Sequence, residues 1–192
     1  GLRHAAGSEW VALLNPDAFA EPAWLESLVG AAMRRPQCAS IGSTLLRASD
    51  PAVLDGVGDV YHVSGLHWRE GHGKRRAARA LMAKEIFAPC AAAALYRLAA
   101  LTEAGGFDED YFCYAEDVDL GFRLRLLGYE SWFEPASVVH HVGSATTGAS
   151  SDFAVYHGYR NGIWTFVKDM PAGLLCACAP AHLLGLLLYS AT

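Results

Sequence analysis

The sequence predicts an α/β fold in which a mixed sheet is flanked by helices. A short apolar run, a helical repeat of apolar residues and a second apolar run follow one another near the start, in the order strand, helix, strand. The 192 residues suffice for one domain with a substantial core. The hydrophobic content is 53%, which is high for a soluble domain, and much of the excess lies near the end of the chain.

The opening unit is bounded by turn and helix-start signals. Val11 to Leu14 predict a buried strand, which Asn15-Pro16-Asp17 closes as a turn. Pro22 suits the first turn of a helix, whose apolar positions recur as far as Arg35. Residues 40–46 predict a second strand.

Residues 48–84 differ in character from the segments on either side. Glycines punctuate a stretch rich in His, Trp and Arg, and Lys74-Arg75-Arg76 forms a basic run. We expect a long excursion with weak regular structure. A solvated loop and a substrate-facing loop are both compatible with this pattern.

Regular structure is predicted again in the second half of the chain. A helix over 98–104 should stop at Gly105-Gly106, and a helix over 116–127 should stop at Gly128. The apolar runs predict strands over 87–96, 129–133 and 137–142, the last two separated by Pro135.

Charge and cysteine content exclude some classes of function. The net charge is -5 and no basic stripe with interleaved aromatic residues occurs, so we expect no nucleic-acid partner. The five cysteines form no CxxC pair, which favours reduced thiols in a cytoplasmic setting.

The main candidate for chemistry is an acidic cluster at the start of a helix. Asp108, Glu116, Asp117 and Asp119 lie shortly before or within the first turn of the helix over 116–127. Carboxylates there could serve only as caps and as partners of the helix dipole. The aromatic loop in front of them is not needed for capping, and its apolar walls can tune a carboxyl group as a general base. We therefore favour a functional interpretation.

Two further segments place polar groups at strand ends. Asp17 follows the first strand, and His140-His141 end the last one. Because side chains alternate along a strand, only one of the two histidines can face a site. By itself Asp17 could be a turn former, and either histidine could be structural. Together with the acidic cluster, they could supply ligands for Mg²⁺ or Mn²⁺ and a separate base.

These three motifs resemble, in order and spacing, the GT-A glycosyltransferases of family 2, and most closely the rhamnosyltransferase-like branch. They are Asn15-Pro-Asp-Ala, the run from Gly106-Phe-Asp-Glu to Glu116-Asp-Val-Asp-Leu-Gly-Phe-Arg, and Pro135 to His141-Val-Gly-Ser144. The likeness covers nearly the whole chain from Gly7 to about Pro171. It implies a partial GT-A fold with a C-terminal hydrophobic helix.

The resemblance also implies residue roles. Asp17 and His141 would be metal ligands, and Asn15 and Asp17 would contact the donor. Asp117 would be the base that deprotonates the acceptor hydroxyl, with Glu116 beside it. The implied reaction is inverting transfer of a sugar, from dTDP-rhamnose or a UDP-hexose, to a lipid-linked or polysaccharide acceptor in cell-surface glycan synthesis. We expect acceptor-binding groups at Trp68, Asp108, Tyr114, Arg160 and Lys168.

In this family the domain opens with a nucleotide-binding strand–helix–strand unit. No such unit precedes Gly1, so we expect the chain alone to bind donor poorly and to have negligible transferase activity. We divide it into a catalytic and acceptor-binding part, residues 1–155, and C-terminal helices over residues 156–192.

The last segment, from Gly173 onward, is uncharged and interrupted by Pro180 and His182. A membrane-surface or re-entrant helix fits it best, at the cytoplasmic face of the bacterial inner membrane. A hydrophobic helix docked on the core is the alternative.

Two other functions remain open from the sequence. The chain could be a non-catalytic partner or remnant of a glycosyltransferase. It could also be a metal-dependent phosphohydrolase that uses Asp17, Asp117 and Asp119.

Overall fold

The computed structural model describes residues 5–78, 80–143 and 151–190. Its strands are β1 (Trp10–Leu14), β2 (Ala18–Ala20), β3 (Cys38–Arg47), β4 (Asp50–Gly56), β5 (Asp59–Tyr61), β6 (His67–Arg69), β7 (Lys84–Ile86), β8 (Ala93–Arg97) and β9 (Glu130–His141). Its helices are α1 (Trp24–Met33), α2 (Leu98–Glu103), α3 (Glu116–Leu126), α4 (Asp152–Asp169) and α5 (Ala172–Ser190). The opening residues Gly1 to His4, and Ser144 of the predicted histidine motif, lie outside the described residues.

A mixed sheet forms the centre of the fold, as predicted. Within the described ranges its main path has the strand order β1-β8-β3-β9-β2, with β4 paired to β3 and β7 paired to β9. The β3–β9 pair is parallel, whereas β8 pairs antiparallel with both β1 and β3. Because β3 and β9 run in the same direction, Arg47 and His141 lie opposite each other at one edge of the sheet.

Helices cover both faces of the sheet. Successive residues of β8 point to opposite sides, so Leu95 packs in the cluster that contains Leu28 of α1, while Tyr96 packs with Leu101 of α2 and Leu120 of α3. The apolar spacing of α1, α2 and α3 therefore predicts these helices correctly.

The prediction of weak regular structure over residues 48–84 is wrong. β4 pairs with β3, and β5 pairs with β6 as a small separate sheet. Leu54 of β4 is almost fully buried, and the backbone N–H of Asp59 donates to the carbonyl of Ala88 at 2.8 Å. The short strands depend on such distant partners, which local periodicity does not show.

The strands predicted on either side of Pro135 are one strand, β9. The pairing with β3 skips residues at this point, since Ser43 opposes Glu134 and Thr44 opposes Val138. Pro135 cannot donate a ladder hydrogen bond, and the bulge accommodates it without ending the strand. The strand predicted over 87–96 begins only at Ala93, and β2 is not predicted at all.

α4 and α5 pack beside α3. Phe122 of α3 lies in one apolar cluster with Phe166 of α4 and with Met170, which directly follows α4, and Leu175 of α5 packs against it. α5 contains Pro180 within its length. Among the described residues, none of the helices combines the length and the apolar character required to cross a bilayer.

Candidate active site

The three predicted motifs meet at one cleft. It has a volume of about 510 Å³ and lies between the loop after β1, the end of β9 and the start of α3. Six of the predicted site residues line it, namely Asn15, Asp17, Tyr114, Glu116, Asp117 and His141.

Asp17 and His141 face each other across the cleft. The antiparallel pairing of β2 with β9 sets His141 opposite Ala18, the residue after Asp17. His141 Nε2 lies 3.4 Å from Asp17 Oδ1, and the His141 side chain is 9% exposed. His140 points the other way, with its Nε2 3.1 Å from Glu21 Oε1 near the surface. The alternation along β9 thus directs only His141 into the cleft.

Asp55 holds the other side of the His141 ring. His141 Nδ1 lies 2.9 Å from Asp55 Oδ2, and both side chains are buried. Burial alone would raise the pKa of Asp55, but the hydrogen bond from His141 and the charge of Arg69 lower it below its usual value. With the proton on Nδ1, His141 donates to Asp55, and Nε2 presents its lone pair toward Asp17.

This donor set fits a hard divalent cation. A carboxylate oxygen and an imidazole nitrogen converge on one point, and the second ring nitrogen is fixed by a buried carboxylate, as in many metal–histidine sites. In the part of the chain that the structure describes, no three His, Cys, Asp or Glu side chains form a metal-binding group. Among the described residues, two side chains, Asp17 and His141, converge at this point.

Arg69 of β6 links two buried aspartates behind the cleft wall. Its Nη1 lies 3.1 Å from Asp55 Oδ2, and its Nε lies 3.7 Å from Asp59 Oδ1. Gly56 makes this approach possible, because a Cβ there would lie 2.2 Å from Arg69 Cδ. Burial and the nearby charge of Asp117 raise the pKa of Asp59 to about 8.

Asp117 and Glu116 differ although they are adjacent. Asp117 is buried, and its Oδ2 accepts a hydrogen bond from the backbone N–H of Ala91 at 3.2 Å. Glu116 Oε2 is buried without a hydrogen-bond partner. Burial, followed by the charge of Asp117, raises the pKa of Glu116 to about 7. One carboxylate is thus held by the backbone, while its neighbour has a proton available near neutral pH.

Local backbone hydrogen bonds account for only part of the acidic cluster: Asp117 Oδ1 accepts one from the Val118 N–H at 2.9 Å, and Asp108 Oδ1 accepts one from the Asp110 N–H at 3.0 Å. The residue before α3 is Ala115, and no side chain caps this end of the helix. Asp119 is fully buried and does not line the cleft. Its carboxylate binds Arg123 and Lys168 instead. Its role within the fold is to pair these cations.

Four predicted acceptor-binding residues do not line the cleft. Lys168 Nζ lies 2.6 Å from both Asp108 Oδ2 and Asp119 Oδ1. Arg160 donates to backbone carbonyls of the loop before α3, and Trp68 is half-exposed on β6. A role for any of them in acceptor binding stays a prediction.

Other cleft residues were not predicted, chiefly Asp55, Arg69, His72, Cys90 and Cys113. Asp55 ends an apolar run and is followed by Gly-x-Gly. Glycines at the end of an apolar run indicate that a strand ends there and that another segment packs closely against its backbone. Arg69 carries no comparable signal, since its partners are 14 and 10 residues away in sequence.

Comparison with known proteins identifies the family of the chain. The sequence model of the family described as "Glycosyltransferase like family 2" matches residues 1–160. This chain therefore belongs to the family 2-like glycosyltransferases. It is 30% identical to an N-acetylglucosaminyl-diphospho-decaprenol L-rhamnosyltransferase of Mycobacterium tuberculosis, over 86% of this chain and 57% of that protein. It is 31% identical to a pre-mycofactocin glycosyltransferase of the same organism, over 71% of this chain and 27% of that protein.

A solved structure shows the same fold. The crystal structure of GalNAc-T7 with UDP, GalNAc and Mn²⁺ matches 84% of this chain and 32% of that chain with a TM-score of 0.60 at 13% identity. The fold is accordingly of the GT-A type, as the sequence predicts. The chain spans 57% of the length of the mycobacterial rhamnosyltransferase that it matches.

Proposed function

We propose that this chain supplies the metal-binding and base-bearing half of an inverting glycosyltransferase active site. The observation that carries the proposal is the convergence of Asp17, His141 and the Glu116-Asp117 pair on one cleft. Family membership supports a transferase, and the relatives are named as transferases of sugars.

Asp117 is the proposed general base. Its carboxylate is fixed by the Ala91 N–H, so it can accept a proton from an acceptor hydroxyl with little reorganisation. Glu116, with a pKa raised to about 7, keeps its proton near neutral pH, because burial and the nearby charge of Asp117 disfavour its ionised form. The hydroxyl then attacks the anomeric carbon from the face opposite the leaving group, which inverts that centre.

Asp17 and His141 are the residues that would hold Mg²⁺ or Mn²⁺, with Asp55 orienting the imidazole. When bound, the cation supplies charge stabilisation to the departing nucleoside diphosphate. The chemistry of the donor set supports this assignment, and the GT-A neighbour was crystallised with UDP and Mn²⁺. Asn15, at the same edge of the cleft, would contact the donor.

We infer a nucleotide-sugar donor, with dTDP-rhamnose or a UDP-hexose as first candidates, and a lipid-linked or glycan acceptor for cell-surface glycan synthesis. One relative is named for a diphospho-decaprenol acceptor and an L-rhamnosyl group. Exposed leucines of α5 support attachment to a lipid surface, which we place at the cytoplasmic face of the membrane.

The test is an assay of the full-length protein with a panel of nucleotide-sugars, isoprenoid diphosphate-linked acceptors and Mg²⁺ or Mn²⁺. We expect metal-dependent transfer with inverted configuration that an Asp117→Asn variant lacks. Release of phosphate from simple esters without glycosyl transfer would instead favour a phosphohydrolase. No turnover of any donor, together with unimpaired binding of a partner transferase, would favour a non-catalytic role.

A further inference from the structure

The loop before α3 has a strained backbone. In residues 107–115, hereafter the pre-helix loop, Phe112, Tyr114 and Ala115 have φ values of 63°, 66° and 61°. Such left-handed values are uncommon for residues with side chains and persist only where surrounding contacts impose them. Cys113 and Tyr114 line the cleft, and Ala115 directly precedes Glu116. The contacts that impose this conformation therefore also set the position of the proposed catalytic carboxylates.

One side chain of α4 binds this loop from behind. Asn161 is fully buried, and its Nδ2 donates to the carbonyl oxygens of Tyr111, Cys113 and Tyr114 at 3.0, 2.7 and 2.7 Å. Three carbonyls, at the end of the short 3-10 turn Glu109–Tyr111 and just after it, thus share the two N–H groups of a single amide. The Tyr111 carbonyl also accepts hydrogen bonds from the Cys113 N–H and from Arg160, so loss of Asn161 would mainly leave the part-buried carbonyls of Cys113 and Tyr114 without this donor, which is unfavourable.

Neighbouring residues of α4 complete the attachment. Arg160 Nε donates to Asn161 Oδ1 at 2.9 Å, which fixes the orientation of the amide, and Arg160 Nη2 donates to the Asp110 carbonyl at 3.2 Å. One helical turn further on, Thr165 Oγ1 lies 3.1 Å from the buried hydroxyl of Tyr111. The contacts follow the loop along one face of α4, so α4 holds the loop as a unit.

We propose that Asn161 is a positioning residue for the Glu116-Asp117 pair. It does not line the cleft, and it acts by holding the pre-helix loop in the strained conformation from which α3 begins. The inference rests on the proposed glycosyl transfer for its catalytic consequence. The attachment of the loop itself rests only on the contacts above.

Asn161→Asp and Asn161→Ala in the full-length protein test this inference, with Phe166→Leu as the matched control. Asp retains the size of the side chain and its acceptor for Arg160, but it loses the two N–H donors. Phe166 is a buried residue of the same helix that packs against Phe122 and stacks on His182. Phe166→Leu should lower stability without touching the loop, and thermal unfolding of each variant allows this effect to be subtracted.

The first measurement is hydrogen–deuterium exchange of peptides that cover residues 107–115. Several amides of this loop are hydrogen-bonded within it, among them those of Phe112 and Cys113. In both Asn161 variants we expect their exchange to be at least about tenfold faster than in the parent protein, because local opening becomes easier. In Phe166→Leu the loop should exchange at the parental rate, after correction for global stability. Unchanged exchange in the Asn161 variants would overturn the inference.

The second measurement is steady-state kinetics on a donor that the parent protein uses. In the Asn161 variants we expect kcat to fall about 100-fold, which is the effect that a misplacement of a catalytic group by about 1 Å can have. The KM for the donor should stay within about threefold of the parental value, because Asn161 does not line the cleft. Loss of kcat no greater than in Phe166→Leu would also overturn the inference. If the parent protein transfers no sugar, the proposed function fails together with the catalytic role of Asn161, while the exchange experiment still decides whether Asn161 holds the loop.

Discussion

Glu116 and Asp117 are neighbours, but their carboxyl groups have different hydrogen-bond partners. Asp117 accepts a backbone hydrogen bond, whereas Glu116 has an unpartnered oxygen and a pKa raised to about 7 by burial and by the charge of Asp117. This difference favours Asp117 as the proposed base, because its carboxyl group is already oriented by the backbone.

We predict that Asp117→Asn lowers kcat by about 10²–10⁴-fold, the usual contribution of a general base. Glu116→Gln should lower it less than about tenfold at pH 7, because the amide resembles the protonated carboxyl group. Steady-state kinetics of both variants at saturating donor measure this. The assignment is wrong if Glu116→Gln has the larger effect.

The buried partner of His141 gives a second prediction. Asp55→Asn should weaken Mn²⁺ binding about 10–100-fold, as loss of an orienting carboxylate behind a metal-bound histidine does elsewhere. Titration of the full-length protein with Mn²⁺, followed by electron paramagnetic resonance of the free ion, measures the affinity. Glu21→Gln is the matched control, since Glu21 pairs with the outward-facing His140 at 3.1 Å. Equal effects of the two variants would contradict a metal site at His141.

Helices and strands were predictable to different degrees, and for physical reasons. α1 buries one apolar face, which leaves a 3.6-residue period in the sequence. α3 is buried on most of its sides, Asp117 and Asp119 included, so its prediction depended on the spacing of its apolar residues and on Gly128. β5 and β6 have three residues each and exist because they pair with one another, so they leave no period to detect. β2 also has only three residues and depends on its pairing with β9, so it too leaves no period in the sequence.

α4 ends in a carboxyl group whose titration affects stability. Burial, followed by the charge of Asp119, raises the pKa of Asp169 to about 7. A carboxyl group with a raised pKa in the folded state favours folding at low pH, and this contribution is lost as the pH rises through about 7. The loss begins near the ordinary Asp pKa of 3.8 and is complete above about pH 7, so neutralising the side chain should stabilise the protein progressively over that range.

We predict that Asp169→Asn raises the free energy of unfolding by about 1–2 kcal/mol at pH 8 and by much less at pH 4. This corresponds to an increase of about 2–8 °C in Tm at pH 8. Thermal unfolding at both pH values provides the measurement. Asp152→Asn, at the exposed start of α4, is the control and should not stabilise the protein at pH 8. Destabilisation by Asp169→Asn at pH 8 would show that the charged form is favoured.

The complete site was only partly visible in the sequence. Asp17, Glu116, Asp117 and His141 are recognisable because each follows a strand end or opens a helix within a motif. The residues that surround them could not be recognised in the sequence. Asp55, for example, is 86 residues from His141 and meets it only because β4 and β9 both pair with β3. A hydrogen bond that joins distant segments through a third strand leaves no local pattern.

α5 combines a docked side with an exposed apolar side. His182 is buried, stacks on Phe166 with a centroid distance of 3.9 Å, and its Nδ1 lies 2.8 Å from the carbonyl of Ser64. His182, one of the two residues that interrupt the apolar segment, therefore attaches the helix to the rest of the domain. On the exposed side, Leu183, Leu187 and Leu188 are each at least 60% exposed. This division fits a helix that is anchored to the domain and lies on a lipid surface.

We predict that Leu187→Gln combined with Leu188→Gln weakens binding of the full-length protein to vesicles of phosphatidylglycerol and phosphatidylethanolamine. The affinity should fall at least about tenfold, or about 1.4 kcal/mol, because two leucine side chains no longer contact the lipid. Co-sedimentation with the vesicles gives the bound fraction. Met33→Gln combined with Met82→Gln removes exposed apolar residues elsewhere, 80% and 74% exposed, and should leave binding unchanged. Equal losses in both double variants, or none in either, would contradict a lipid-facing role for α5.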